Sequence, residues 1–141
     1  DLVMSSRDLA LCVPELQEKW PLIKRDIEAM NPGWEARPIC TLRSTEEQQE
    51  LWAQGRTKPG PIVTWVDGVT KIGAHNPVPG KKPESRAIDV GIFVKGEYMT
   101  QSSYYRPLQT LAPKYGLKSG WSFGDPPHIE VAKGAVIRIK Q

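Results

Sequence analysis

The sequence predicts an α+β domain. Apolar residues recur at helical spacing early in the chain, apolar runs of strand length follow later, and the two never alternate as a βαβ series would. Thirteen prolines and twelve glycines point to many ordered loops around modest secondary structure. The 141 residues make one ordinary domain, 1–141, long enough to bury a core.

The elements follow in order. Val13, Leu16, Trp20, Ile23, Ile27 and Met30 alternate by three and four, the mark of one buried helix face. Pro14 suits a first helical turn. Pro21 removes a backbone donor and crowds the preceding turn, so a kink or break is expected there. Asn31-Pro32-Gly33 ends the helix. Residues 36–42 read as a strand. Ser44-Thr45-Glu46-Glu47 has the form of a capping box, opening a short helix that stops at Gly55. Residues 62–66 and 69–72 flank Asp67-Gly68, which predicts a hairpin. Residues 76–85 hold three prolines and two lysines and read as a loop. Residues 87–94 form an apolar strand, 104–115 a helix stopped by Gly116, and 128–131 and 135–139 short strands. Together they predict a short antiparallel sheet with helices packed around it.

Composition excludes several classes. Hydrophobic residues at 39%, charged residues at 25% and five tryptophans rule out disorder. No apolar run approaches the roughly 20 residues of a membrane span. Residues 1–12 carry Arg7 and Asp8 inside their apolar stretch and lack the form of a signal peptide. The expectation is a chain made in the cytoplasm without a leader, with no membrane partner. A net charge of +3 is too weak to argue for nucleic acid, and none is expected as a partner. The charge is compatible with a polyanionic target such as a cell wall. Cys12 and Cys40 can pair, but buried free thiols are the plainer reading. No CxxC motif exists, which argues against a cysteine-based zinc site.

Only two histidines occur. His75 falls between the predicted hairpin and the loop. His128 follows Pro126-Pro127, which hold Asp125 and His128 in a rigid relation. A catalytic zinc takes three protein ligands and leaves a position open for water. Asp89 is the best third candidate, because a carboxylate inside the apolar strand Ala87-Ile88-Asp89-Val90 is costly unless paired or metal-bound. It can instead face solvent by alternation, or pair with Arg86 or Lys95. A hydrolase also needs a general base and a cation for the oxyanion. Asp125 and Glu130 flank His128, and Arg43 precedes a helix N-terminus.

These residues carry a resemblance. Thr41-Leu42-Arg43-Ser44-Thr45-Glu46-Glu47-Gln48 resembles the T-x-R-S-x-x-x-Q segment of the VanY-like zinc peptidases. That family comprises D-Ala-D-Ala carboxypeptidases and L-alanyl-D-glutamate endopeptidases, which cut the stem peptides of bacterial peptidoglycan. Ala53-Gln54-Gly55-Arg56-Thr57-Lys58-Pro59-Gly60, then Ile62-Val63-Thr64, is similar to A-Q-G-R-T-x-P-G-x-I-V-T of phage endolysins in the endopeptidase branch. His75-Asn76, Ser85-Arg86-Ala87-Ile88-Asp89 and Asp125-Pro126-Pro127-His128-Ile129-Glu130 resemble the family's H-N, S-x-A-x-D and D-x-P-H-x-E pieces, in the same order.

The resemblance implies roles and a fold. It implies a hedgehog/D-Ala-D-Ala peptidase-like domain with a zinc site in a cleft on the sheet. His75, Asp89 and His128 would hold the zinc. Asp125 would be the catalytic carboxylate, and Arg43 would bind the substrate carbonyl and the developing oxyanion. Glu130 would orient a ligand histidine, and Gln48 and Trp121 would lie close to the ligands or the substrate. Trp121, Trp65 and the Tyr104-Tyr105 pair either line the cleft or pack in the core. The implied activity is that of a monomeric endolysin acting on peptidoglycan after release, with L-Ala–D-Glu as the bond cut. A D-Ala-D-Ala dipeptidase or carboxypeptidase, and a metal- or wall-binding module without catalysis, are the alternatives. The chain departs from the family pattern twice. Gly73 stands where the family has a hydroxyl residue, and His75 and Asp89 lie further apart than usual, which reads as a loop insertion that leaves both anchors in place.

Overall fold

The first helix, α1 (Pro14–Met30), buries Leu16, Trp20, Ile23 and Ile27 along one face. It runs unbroken through Pro21, against the break expected there. Pro21 is exposed, and the buried side chains on both sides of it hold the helix to the core. Burying an apolar side chain stabilises by about 1.5–3 kcal/mol each, which outweighs the roughly 3 kcal/mol of one interior proline. Met30, expected on the buried face, is 58% exposed at the helix end. The computed structural model describes residues 5–139.

A strand β1 (Trp34–Cys40) leads to the helix α2 (Thr45–Ala53). The capping box holds: Glu47 N–H donates to Ser44 Oγ and Ser44 N–H to Glu47 Oε1, each at 3.1 Å. After a long loop come β2 (Lys71–Ile72), β3 (Ala87–Val94) and β4 (Glu97–Met99). The helix expected over 104–115 begins as a 3-10 turn, Ser102–Tyr105, and continues as α3 (Arg106–Lys114). Gly116 follows at φ +76°, the left-handed stop. The short strands β5 (Leu117–Ser119), β6 (His128–Val131) and β7 (Ile137–Arg138) complete the described chain.

The fold is a small α+β arrangement with an open antiparallel sheet in the order β1-β3-β6-β5. β1 pairs along one edge of β3, while β6 and β4 share the other. One face of the sheet carries Ile88, Val90, Ile92, Ile129 and Val131 into the core. There they join the buried face of α1 and Leu108, Leu111 and Ala112 of α3. Side chains alternate along a strand, so Asp89, His128 and Glu130 point from the opposite face.

The hairpin expected around Asp67-Gly68 does not form. Residues 62–66 are irregular, and β2 pairs with β7 instead. The Asp67 side chain explains this locally. It accepts the N–H groups of Val69, Thr70 and Lys71 at 2.9–3.0 Å, using donors a two-strand ladder would need. Burial opposes the charge, but these donors and the Thr70 hydroxyl hold the Asp67 carboxyl well below its usual range. Cys12 and Cys40 are both buried and free. Among the described residues no helix is long and apolar enough to cross a membrane.

Candidate metal centre

Asp89 is the hub of the site. In register it stands between Cys40 on β1 and His128 on β6. Its neighbours Ile88 and Val90 are fully buried on the core side, so alternation turns the carboxylate to the other face. Two histidines cover it there. Its partners are these histidines, not Arg86 or Lys95.

His75 comes from a tight turn in which Asn76 N–H donates to Gly73 O. Its Nδ1–H donates to the Thr41 carbonyl at 2.7 Å, which leaves Nε2 facing Asp89 Oδ1 at 3.2 Å. His128 uses the opposite nitrogens. Its Nε2–H donates to Glu130 Oε1 at 2.7 Å, and Nδ1 faces Asp89 Oδ1 at 3.1 Å. Asp125 Oδ2 lies 3.7 Å from the same Nδ1. His75, His128 and Glu130 are all buried, while the Asp125 side chain is half exposed.

The electrostatics follow from this packing. Burial works against a charged His75, but the hydrogen bonds to Asp89 and Cys40 lift its pKa to about 10. Burial likewise opposes charge on His128, and its bonds to Asp89 and Glu130 raise its pKa above the ordinary value. For Asp89 the histidine hydrogen bonds overcome burial and hold the carboxyl far below its usual range. Asp125 goes the other way: burial and the Asp89 charge push it up.

The donor atoms form two groups that share Asp89. One is Cys40, His75 and Asp89; the other is Asp89, Asp125 and His128, with all donor atoms of a group within 4.8 Å of one another. Either group is able to hold a metal ion. In each group the histidine has its other ring nitrogen already bonded, His75 Nδ1 to Thr41 O and His128 Nε2 to Glu130 Oε1, and such an outer bond fixes the tautomer and aims the free nitrogen. The expected trio of His75, Asp89 and His128 is not itself one of these groups: each histidine belongs to a different group, and Asp89 Oδ1 links the two.

Arg43 reaches the same cleft from the end of β1. Its Nε–H donates to Ser5 Oγ at 3.1 Å and its Nη1 to Gln48 Oε1 at 3.4 Å, and Nη2 lies 3.6 Å from Cys40 Sγ. Gln48 is buried and ties the site together. Its Oε1 also accepts from Asn76 Nδ2, and its Nε2 donates to Thr64 Oγ1 and Val66 O. The cleft encloses about 260 Å³, with Arg43, Gln48, His75, Asp89, Asp125, His128 and Glu130 in its lining.

Trp121 is not in that lining. Its indole N–H donates to Tyr105 O at 3.0 Å, and it packs against the core. Tyr104 packs against Trp34 with the rings tilted at 48°, and the Tyr105 hydroxyl donates to Met99 O, so this aromatic set supports the fold.

Three contributors escaped the sequence reading. Cys40 sits beside His75 Nδ1 at 3.6 Å, although no CxxC pattern announces it. Its place at the end of β1, three residues before Arg43, was the available signal. Phe123 lines the cleft with its ring edge-on to His128, centroids 5.5 Å apart. Gly120 has no room for a side chain: a Cβ there would lie 2.1 Å from Asp125 O and 2.9 Å from His128 Cβ. Its carbonyl accepts from Asp125 N–H, so the turn that presents Asp125 and His128 closes against it.

Gly73 is equally confined. A Cβ there would lie 2.7 Å from Asn76 Oδ1, which accepts the Gly73 N–H at 2.9 Å. A hydroxyl residue at this position would therefore require the Asn76 side chain to shift. Neither protein-family models nor curated proteins give a match to the chain.

Proposed function

We propose that the chain is a zinc-dependent peptidoglycan peptidase of the VanY-like kind, on a hedgehog/D-Ala-D-Ala peptidase-like fold. The bond cut is L-Ala–D-Glu of the stem peptide, as in a phage endolysin made in the host cytoplasm and acting on the wall after release. The observation that carries this reading is the approach of both His75 Nε2 and His128 Nδ1 to Asp89 Oδ1, with the half-exposed Asp125 beside His128. His75, Asp89 and His128 are the residues that would hold the ion. A zinc held there would acidify a bound water and polarise a peptide carbonyl.

The chain's own residues supply the rest. Asp125 faces the cleft, half exposed and beside His128. In this reading it takes a proton from water and returns it to the leaving amine. Arg43, anchored by Ser5 and Gln48, presents a fixed guanidinium to a carbonyl oxygen or a substrate carboxylate. Glu130 keeps the His128 Nε2–H bonded and so keeps Nδ1 available.

Elemental analysis and digestion test the reading together. Purified wild type should hold about one zinc per chain, and His128→Ala should lose it. The zinc-loaded chain should release new D-Glu amino termini from purified peptidoglycan, read by mass spectrometry. Release of terminal D-Ala instead would assign the exopeptidase activity. Zinc binding with no cleavage of either bond would make the chain a binding module.

A further inference from the structure

We infer that residues 62–69 form a glycan-binding platform, with the Trp65 indole stacking on a pyranose ring of the strand that bears the stem peptide. This deepens the proposed function and rests on it. Trp65 is 74% exposed, the most exposed large apolar side chain among the described residues. Ile62, Val63 and Val69 are exposed as well. Four open apolar side chains within one short loop mark a surface that meets a partner.

The loop is continuous with the cleft. Thr64 and Val66, on either side of Trp65, both line it. It is also held firmly. Arg56 donates to Trp52 O at 2.6 Å and to Thr64 O at 2.9 Å. Its guanidinium lies 3.4 Å from the Trp52 ring centroid and 5.5 Å from that of Trp65. Gln48 fixes Val66 O at 2.9 Å. A cation wedged between two indoles keeps the exposed one in place, so little ordering cost remains when a ligand stacks on it.

The chemistry of the loop selects the occupant. Residues 61–66 carry no charge, and the two charges beside them are already engaged by backbone groups, Arg56 by Trp52 O and Thr64 O and Asp67 by the N–H groups of Val69, Thr70 and Lys71. A pyranose is uncharged, has a flat C–H face for an indole and places its hydroxyls at the edge. The bond proposed for cleavage brings such a ring near. In peptidoglycan the L-Ala nitrogen is acylated by the lactyl group of the sugar. The ring therefore lies about two residue lengths from the scissile carbonyl, each at most about 3.6 Å.

Two measurements with the full zinc-loaded chain test this. The first compares cleavage of a disaccharide-bearing stem peptide with that of the same peptide lacking sugar. Trp65→Ala should lower kcat/KM on the sugar-bearing substrate about fivefold and leave the sugar-free rate unchanged, in line with the loss of one aromatic stack. Equal loss on both substrates, or no loss on either, overturns the platform. The second uses peptide-free glycan strands and the indole N–H signals, Trp65 being assigned by its absence in Trp65→Ala. A shift of that signal supports the platform even where wild type cleaves neither substrate, an outcome that sinks the peptidase reading alone. No shift with glycan, or a shift with phospholipid vesicles or with protein concentration in its place, overturns the platform itself.

Discussion

Asp89 and His128 are register partners on β3 and β6, and Asp89 Oδ1 lies 3.1 Å from His128 Nδ1. Backbone pairing thus sets the separation of two unlike donors from separate parts of the sequence, and Glu130, two residues along β6, completes the alignment from the same face.

Glu130 should matter through metal affinity. Glu130→Ala leaves the buried His128 Nε2–H without its acceptor. Zinc affinity, measured by competition with a chromogenic chelator, should fall about 10- to 100-fold. Glu130→Gln keeps an acceptor oxygen and should fall less. Equal affinity in all three proteins would remove Glu130 from the site.

Asp125 should matter through chemistry alone. Asp125→Asn should lower the cleavage rate by about 10²- to 10⁴-fold, with zinc content held near the wild-type level. A loss of zinc in step with activity would instead make Asp125 a ligand of the second donor group.

Zinc and protons compete for the same nitrogens. In the metal-free fold His75 and His128 have raised pKa values, so their protonated form stabilises fully below the unfolded histidine value of about 6.5. That contribution is lost as the pH rises through the folded values, about 10 for His75. Asp89 is depressed, so its contribution is present above about 3.9 and lost on further acidification. The rise in Tm on adding zinc to chelator-treated protein should therefore be larger at pH 8 than at pH 5.5. A pH-independent rise would mean that zinc binds elsewhere.

The glycine positions give two structural tests. Gly120→Ala drives a methyl group into Asp125 O, and Gly73→Ser crowds Asn76 Oδ1. Each should cost about 1–3 kcal/mol by denaturant unfolding. Gly120→Ala should also weaken zinc binding, because its neighbours are Asp125 and His128. Wild-type stability in both variants would mean that the turns relax freely.

Much of this was legible in residues 41–48 and 87–131. The capping box at Ser44, the strand 87–94 and the strand 128–131 all occur where the spacing predicts them. An aspartate in an apolar strand and a histidine behind two prolines were chemical anomalies, and they meet. The hairpin was not legible correctly, because the Asp-Gly signal is local and the Asp67 side chain took the backbone donors. Pro21 misled for the opposite reason: tertiary burial on both sides outweighed a local penalty. The approach of Cys40 to His75 depends on strand register, which no spacing along the chain encodes.

Arg86 gives the interval between His75 and Asp89 a different meaning. Its guanidinium donates to the carbonyls of Gly73, Asn76, Glu84 and Ala135, and its backbone N–H donates to Ala74 O. Ser85 is tied to Leu11 and Val13 across the way. The neck of the loop is closed by bonds that do not involve residues 77–83. Loop length and ligand geometry are then independent variables, and each doubling of the loop costs only about 0.6 kcal/mol in closure entropy. The segment is a natural graft point, where sequence can be exchanged for a new targeting function without retuning the ligands.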